Sequence, residues 1–338
     1  MTLSDLATIT GPTILVSLAF AAATSLLTAA CYPCQALRRR LLEAAPTASA
    51  DVLFALASAP LFVALSVAVA SFLPSVLAWL SLQSDHCTEN VHAHLHLCLL
   101  HPPPVTMGMV ASLVPPALAS LILARIGREL WRGEHARRCL ATLAATSTPD
   151  TTRGVHWIAS RVPLAAAVGG ARHGKVIVSS LLGERLVPRE LAAVIAHERA
   201  HLQRRDATWR TIASALSIVH VPAVRRMLLA DLALTCEEAC DDEAVRAIGD
   251  RVSVATALVG VSRLWSEAQV AGAAAAAAAP AFTGADITTR VTRLLEDPSP
   301  ARLWLPRAWT TLGSIGALAT GAGREIHHLT EALTDRLL

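Results

Sequence analysis

Long apolar runs alternate with short polar stretches in the first third of the chain. Residues 6–37, 52–84 and 102–124 contain no formal charge. A helix needs about 20 consecutive apolar residues to cross the hydrocarbon core of a bilayer, and each run reaches that length. The pattern therefore predicts three membrane-spanning helices, at about residues 12–31, 55–80 and 104–124.

A buried core helix and a cleaved signal peptide account for these runs less well. A very apolar helix buried in a soluble core accounts for one run, but hardly for three within the first 125 residues. A cleaved signal peptide needs a basic segment before its apolar stretch. The first 11 residues hold one charge, Asp5, and no Lys or Arg, so we expect the first helix to be retained.

The composition agrees with a chain that lies partly in lipid. Hydrophobic residues make up 53% of the sequence and charged residues 16%, whereas soluble domains carry about 25% charged residues. The mean hydropathy is +0.48. A net charge of +3 is too small to indicate nucleic acid as a partner, so a lipid bilayer is expected and direct nucleic-acid binding is not.

Arginines predict the orientation of the helices. Three of them, at 38–40, follow the first run, and five more lie between 125 and 138 after the third run. The loop at 83–103 has no Lys or Arg. Because basic residues favour the cytoplasmic side, the N-terminus and this loop are predicted to lie outside, and the chain from Arg125 onward in the cytoplasm.

Most of the charge lies between residues 125 and 300, which we expect to form a separate cytoplasmic domain. Residues 175–180 have the composition of a strand. A helix is predicted to begin at Pro188, a residue suited to a first helical turn, and to run to about Arg210. Residues 223–248 have a helical period.

The C-terminal segment, 301–338, contains an uncharged stretch that ends at Gly323. It predicts a candidate fourth spanning helix that begins near Trp304 and has to accommodate Arg307; a helix on the membrane surface or packed on the protein is the alternative. The expected fold is therefore mainly α, with multi-pass membrane helices and a cytoplasmic α+β domain. The predicted divisions are 1–124 for the membrane domain, 125–300 for the cytoplasmic domain and 301–338 for the last helix and a short tail.

A zinc-binding pattern, H-E-x-x-H, lies within the helix predicted after Pro188. His197 and His201 are separated by one helical turn and share one face, so both imidazoles can bind one Zn²⁺ ion. Glu198 is turned about 100° away from them. It is therefore expected to act as a general base on a water molecule beside the metal, and later to give the proton to the leaving amine.

An acidic segment downstream offers a third ligand. Glu237 follows His201 by 36 residues, and two His with one Glu form a catalytic zinc set. Asp241 lies one turn after Glu237 and is expected to hold a ligating His by its other ring nitrogen, and Asp206 is assigned a similar role. Without the two histidines, the acidic segment would be an ordinary solvated helix face.

These motifs resemble the catalytic core of BlaR/MecR-type membrane metallopeptidases, which are related to the HtpX and CAAX-prenyl protease group. The resemblance is carried by Gly-Lys-Val-Ile-Val-Ser-Ser-Leu-Leu at 174–182, by Glu-Leu-Ala-Ala-Val-Ile-Ala-His-Glu-Arg-Ala-His-Leu-Gln-Arg-Arg-Asp at 190–206, and by Glu-x-x-Cys-Asp at 237–241. It covers about 80 residues directly, and the predicted order of helices and protease domain extends it.

The resemblance implies a zincin-like protease domain in a bacterial-type cytoplasmic membrane, with one zinc ion bound by His197, His201 and Glu237 and with Glu198 as the base. It also implies that the 175–180 strand is the sheet edge that pairs with the substrate backbone.

Two departures from the family matter. The antibiotic sensors carry an external penicillin-binding domain, whereas this sequence ends at Leu338, so β-lactam sensing by such a domain is not expected. Some related zinc proteases place a Tyr near the oxyanion, but the only Tyr here is Tyr32, at the end of the first predicted helix. His220 and Arg246 are the candidate replacements.

The predicted external loop has its own candidate chemistry. Cys87 and Cys98 bracket a cluster that includes His92, His94 and His96. Outside the membrane the two Cys can form a disulfide, and imidazole and thiolate are good ligands for transition metals. The loop is thus a candidate metal or redox sensor, with unpaired thiols and plain polar residues as the alternative.

Three functions fit the sequence. The first is signal-dependent cleavage of a BlaI-type transcriptional repressor by a zinc endopeptidase, which follows from the resemblance. The second is HtpX-like quality control of membrane proteins. The third, a non-enzymatic sensor or scaffold with a structural zinc site, gives Glu198 no role and is therefore disfavoured.

Overall fold

A computed structural model of the chain describes residues 3–80, 109–169, 174–270 and 284–296, together with isolated residues between 313 and 332. Within these ranges the chain is mostly helical and contains one small sheet. The helices are α1 (Leu3–Cys31), α2 (Gln35–Leu42), α3 (Pro46–Trp79), α4 (Met109–Ala145), α5 (Ser180–Arg185), α6 (Pro188–Arg204), α7 (Asp206–Leu216), α8 (Pro222–Ile248), α9 (Arg251–Val270) and α10 (Gly284–Leu295); the strands are β1 (Thr148–Asp150), β2 (Val155–Ile158), β3 (Ala165–Val168) and β4 (Lys175–Ser179).

Two stretches of the described residues, Thr10–Cys31 in α1 and Pro46–Trp79 in α3, are long and apolar enough to cross a membrane, by length and composition. The third predicted span falls partly outside the described residues. From Met109 it forms the first part of α4, which continues to Ala145. The end of the predicted span and the first residues of the predicted cytoplasmic domain are therefore one continuous helix.

Helix α3 begins nine residues before the predicted start of the second span. Its additional turns are buried because Leu53 and Phe54 belong to an apolar cluster with Leu228 and Leu232 of α8. A helix of 34 residues is about 51 Å long, whereas the hydrocarbon core of a bilayer is about 30 Å thick. The first part of α3 therefore packs on protein, and its remaining length is sufficient to span a bilayer.

The sheet has the strand order β1-β2-β4-β3. Strand β4 pairs in parallel with β2 and antiparallel with β3, so both of its sides are occupied. The expectation that the 175–180 strand is the free edge is therefore wrong. In the described sheet the edge on that side is β3, which has Ala166 opposite Ile177 of β4.

The helix that carries the two histidines ends earlier than the sequence pattern indicates. The pattern predicts a helix to Arg210, but α6 stops at Arg204, and Arg205 adopts a left-handed conformation with φ of 58°. A new helix, α7, begins at Asp206. This break turns the Asp206 carboxylate back toward α6, where it lies 2.8 Å from Nδ1 of His201.

Candidate metal centre

Three side chains from two helices meet at one point. His197 and His201 come from α6, and Glu237 comes from α8, which packs across it. The two Nε2 atoms are 3.2 Å apart. Oε2 of Glu237 lies 3.3 Å from Nε2 of His197 and 3.6 Å from Nε2 of His201. The three residues are therefore close enough to bind a single metal ion.

The spacing of these donor atoms fits zinc. A tetrahedral ion with ligands at about 2.0–2.1 Å has donors about 3.3–3.4 Å apart. The three observed separations of 3.2, 3.3 and 3.6 Å bracket that value. Three protein donors leave a fourth tetrahedral position for water or substrate, as in catalytic rather than structural zinc sites.

Each histidine is oriented by a buried carboxylate. Oδ1 of Asp241 lies 2.9 Å from Nδ1 of His197, and Oδ2 of Asp206 lies 2.8 Å from Nδ1 of His201. With the proton on Nδ1 donated to a carboxylate, the lone pair of Nε2 is free to bind metal. The structure therefore brings Asp206 and Asp241 to the two histidines, in the arrangement expected from the sequence.

An arginine that no sequence motif indicates completes the cluster. Arg290 of α10 is 2% exposed, and it donates from Nε and Nη2 to the two carboxylate oxygens of Asp241 at 2.8 and 2.7 Å. Its Nη1 lies 3.2 Å from Oε2 of Glu237. Arg290 is 49 residues from Asp241 in the chain, and no local pattern connects them; the only sequence signal is the amphipathic character of residues 284–295.

The charges around the centre favour a bound cation. Burial raises the pKa of Glu237, but hydrogen bonds with His197 and His201 outweigh burial and hold the pKa well below its ordinary value. Burial lowers the pKa of His201, yet hydrogen bonds with Asp206, Cys240 and Glu237 raise the pKa well above 6.5. The acidic surroundings thus stabilise positive charge at the imidazoles, and a metal ion that displaces their protons would supply that charge.

Two buried thiols lie behind the histidines. Sγ of Cys240 is 3.2 Å from Oδ2 of Asp206 and 3.3 Å from Nδ1 of His201. Burial raises the pKa of Cys240 to about 12 and that of Cys236 to about 11. Both thiols are therefore protonated near neutral pH, although a bound metal would deprotonate a thiol that it contacts, and Cys240 lies close enough to His201 and Asp206 to share a metal with them.

The metal cluster opens into a cavity of about 970 Å³. One wall of the cavity is formed by α4, and another is formed by the first residues of β3 together with Leu164, the residue before that strand. Glu198 lines the same cavity as the three metal-site residues. The rest of the lining is largely apolar and includes Leu140 and Leu143 of α4, 164–166 at the β3 edge, and Val254, Leu258, Val261 and Trp265 of α9.

The two residues suggested as oxyanion donors do not line this cavity. His220 is buried, and its Nε2 donates to the carbonyl of Leu56 on α3 at 3.1 Å. Arg246 lies on the surface and pairs with Glu243 at 2.7 Å. Both assignments are wrong, because their side chains point to other partners. Arg132 and Arg210 line the cavity, as Arg290 does, and Nη1 of Arg210 lies 3.7 Å from Oε1 of Glu237.

Two parts of the predicted chemistry lie outside the described residues. One is the loop with Cys87, Cys98, His92, His94 and His96. The other is the candidate fourth helix, 304–323, of which only Gly313 is described. The metal or redox sensor and the last membrane crossing therefore stay predictions from the sequence.

The part of the chain that contains the candidate metal site is similar to known peptidases. Residues 129–292 match the model of peptidase family M48. A 72-residue part of the chain is 39% identical to "Protease HtpX homolog 2" of Methanosarcina acetivorans and 42% identical to the protein of that name from Methanosarcina mazei. The match covers 21% of this chain and 24% of each relative, so the chain spans about a quarter of their length. No solved structure matches the chain significantly. These findings support a metallopeptidase of the M48 type.

Proposed function

We propose that the chain is a membrane-embedded zinc metalloendopeptidase that cleaves a protein substrate on the cytoplasmic side of the membrane. The observation that carries this proposal is the triangle of donor atoms from His197, His201 and Glu237, with sides of 3.2–3.6 Å. The M48 match over residues 129–292 supports the same reaction class.

Each side chain at the site is assigned a separate role in peptide hydrolysis. A bound zinc ion supplies a Lewis acid that polarises the scissile carbonyl and lowers the pKa of water. Glu198 takes a proton from the attacking water and later gives it to the nitrogen of the leaving amine. Asp206 and Asp241 keep the Nδ1 protons on the two histidines, so both rings keep one tautomer and one orientation throughout.

The sheet edge is a suitable place for the substrate backbone. One side of β3 pairs with β4, and residues 164–166 line the cavity next to the metal cluster. An extended peptide that adds to the free side of β3 would gain main-chain hydrogen bonds regardless of its sequence. Its side chains would then meet the apolar residues of α9, such as Leu258 and Val261.

Two cellular uses fit such a protease. Cleavage of a BlaI-type transcriptional repressor follows from the resemblance noted in the sequence. HtpX-like quality control of membrane proteins is the second use that the sequence suggests, and the two relatives named as HtpX homologs support it equally well. An observation that favours a membrane-proximal substrate is that α4, which continues the apolar stretch of residues 113–124, also forms a wall of the cavity.

A substrate-trapping experiment tests the reaction and separates the two uses. Cells that express the wild-type chain are compared with cells that express Glu198→Gln, and the proteins that accumulate or co-purify with the variant are identified. Membrane proteins in this set support quality control, and a DNA-binding repressor supports signalling. If the purified wild-type chain, loaded with zinc, leaves every trapped protein intact, the endopeptidase proposal is wrong.

A further inference from the structure

A buried carboxylate on α8, the helix that carries Glu237, binds residues in the segment that follows α1. Asp231 of α8 is 3% exposed. Its Oδ2 accepts a hydrogen bond from the hydroxyl of Tyr32 at 2.6 Å. Arg38 of α2 donates from Nε to Oδ2 at 2.6 Å and from Nη2 to Oδ1 at 2.5 Å. Tyr32 and Arg38 are nearly 200 residues away in sequence from Asp231.

The surroundings of this carboxylate are apolar. Leu41 of α2 and Leu53 and Phe54 of α3 form one cluster with Leu228 and Leu232 of α8. Burial of the Asp231 charge in such a cluster is costly, and the side chain of Arg38 is still 39% exposed, so solvent weakens the attraction between the two charges. Stability alone is therefore a weak explanation for Asp231. A bidentate guanidinium–carboxylate pair differs from apolar packing in that it fixes orientation.

That orientation matters because Asp231 is on the helix that carries Glu237. Six residues separate them, which is about 9 Å along the axis. A side-chain tip lies about 5–6 Å from the helix axis, so a rotation of α8 by about 10° displaces it by about 1 Å. Metal and catalytic sites generally tolerate about 0.5 Å. The rotation of α8 about its own axis therefore has to be restrained for Glu237 to stay with the two histidines.

We propose that Tyr32 and Arg38 are positioning residues for the metal site. By binding Asp231 they fix the rotation of α8 about its axis and its position along that axis. Glu237 is thereby held at the distance from His197 and His201 that a metal requires. The proposal rests on the metal site assigned under the proposed function. Under this proposal the segment just after α1 is needed for the geometry of the active site, although that segment contributes no residue to the cavity lining.

The full-length chain offers a close control for this interaction. Arg39 follows Arg38 in α2, but its side chain is 81% exposed and pairs with Glu43, 51% exposed, at 2.6 Å. Arg39→Gln thus removes the same charge from the same helix without touching α8. The test set is Arg38→Gln, Arg38→Lys, Tyr32→Phe and Asp231→Asn, each compared with Arg39→Gln and with the wild type.

Three measurements on each purified full-length variant separate positioning from simple stabilisation. These are the zinc dissociation constant from competition with a chelator, the visible absorption spectrum of the Co²⁺-substituted protein, and kcat and KM for a substrate cleaved by the wild type. Loss of an interaction that orients metal ligands typically costs about 10–100-fold in metal affinity or activity. We expect Arg38→Gln and Asp231→Asn to fall at the lower end of that range, with a changed cobalt spectrum, a lower kcat and KM within about twofold.

The milder variants keep the test decisive if Asp231→Asn does not fold. Tyr32→Phe removes one hydroxyl and should weaken zinc binding by a few-fold, and Arg38→Lys, which keeps the charge but loses the bidentate geometry, should resemble Arg38→Gln rather than the wild type. If Arg38→Gln and Tyr32→Phe lower only the melting temperature, with zinc affinity, cobalt spectrum and kcat equal to those of Arg39→Gln, the positioning role is wrong. Zinc affinity and the cobalt spectrum can be measured without turnover. A wild type that binds zinc but cleaves nothing would therefore refute the proposed peptidase activity, and the positioning role could still be tested.

Discussion

Nη1 of Arg290 lies 3.2 Å from Oε2 of Glu237, the same oxygen that lies 3.3 Å from Nε2 of His197. A fully buried guanidinium therefore supports the oxygen that would bind the metal. Arg290 contacts both Glu237 and Asp241 and so reduces the repulsion between their carboxylates, whereas Arg210 lies 3.7 Å from the other oxygen of Glu237. Arg290 thus explains how α10, which contributes no metal ligand, belongs to the metal centre.

Replacement of Arg290 should damage both the fold and the site. Removal of one partner from a buried ion pair costs about 3–5 kcal/mol because the other charge is left unpaired. We expect Arg290→Met to lower the free energy of unfolding by several kcal/mol and to weaken zinc binding. The control is Arg293→Met, which loses a half-exposed pair with Asp242 at 2.7 Å. Chemical denaturation and chelator competition measure the two effects; equal behaviour of the two variants would contradict the assigned role.

The catalytic assignment predicts that metal binding and turnover can be separated. Glu198→Gln should retain one equivalent of zinc and lose activity by a factor of about 10²–10⁴, because the ligands remain and the base is gone. His197→Ala, His201→Ala and Glu237→Ala should each lose both. Metal analysis of the purified proteins and a peptidase assay decide this. Full zinc content and activity in Glu237→Ala would mean that the third ligand is another residue, with Glu238 and Asp241 as the next candidates.

Close packing between α4 and α7 can be tested with two glycines on the same helix. A Cβ at Gly133 would collide with the side chain of Thr211, with Oγ1 only 2.8 Å away, whereas a Cβ at Gly127 would meet nothing within 4 Å. We expect Gly133→Ala to destabilise the protein by about 1–3 kcal/mol through overpacking. Gly127→Ala should be neutral or stabilise the helix by up to about 1 kcal/mol. Thermal melting of both variants checks the difference in sign.

The single tyrosine allows a test of the Asp231 interaction at alkaline pH. Burial raises the pKa of Tyr32 above its ordinary value of 10.0, and the hydrogen bond to Asp231 raises it further. Because the pKa is higher in the folded than in the unfolded chain, this contribution to stability is complete below about pH 10 and is lost as the pH rises further. Tyrosinate absorbance should therefore appear late in the folded protein and at lower pH in Asp231→Asn. Ordinary titration of the wild type would contradict the buried hydrogen bond.

The orientation in the membrane remains a prediction from the arginines. A reporter fused after Arg138 should be active in the cytoplasm, and a reporter placed within 88–96 should be accessible from outside. Arg138 lies on α4 and pairs with Glu134 at 2.8 Å, both on the protein surface, so the fusion point is accessible. The reverse pattern would place the metal centre outside the cell and exclude a cytoplasmic repressor as the substrate.

Local sequence patterns predict the parts of the site that a single helix determines. His197, Glu198 and His201 follow from helical spacing, and the extent of α8 follows from its apolar period. The parts that depend on distant contacts are not predictable in this way. Arg290 and Arg38 reach α8 from 49 and 193 residues away, and nothing near either arginine in the sequence indicates a buried carboxylate as its partner.

The structure corrects two expectations about local structure: the length of α6, which comes from the sequence pattern, and the edge position of β4, which the family resemblance implies. The pattern of apolar residues continues through Arg205 and favours one helix to Arg210, but the chain turns at Arg205 and brings Asp206 into contact with His201, a contact between residues five apart that the pattern does not indicate. The edge position of the 175–180 strand is implied by the family resemblance, and the sequence around β4 does not show that the strand is paired on both sides. The short β3, Ala165–Val168, is mostly alanine, which has a low β propensity, so only pairing with β4 indicates that it is a strand.

The continuity of α4 with the predicted third span would limit which peptide bonds the proposed protease could reach. The predicted bilayer boundary lies near Ala124, and the cavity is lined by α4 from Glu129 to Leu143. At about 1.5 Å per residue, these positions lie at most about 8–29 Å beyond the boundary. An extended chain covers about 3.3 Å per residue, so a membrane-anchored substrate would be cut within roughly the first nine residues that emerge from the lipid. Soluble loops far from a membrane anchor would have to approach the bilayer before they could be cleaved.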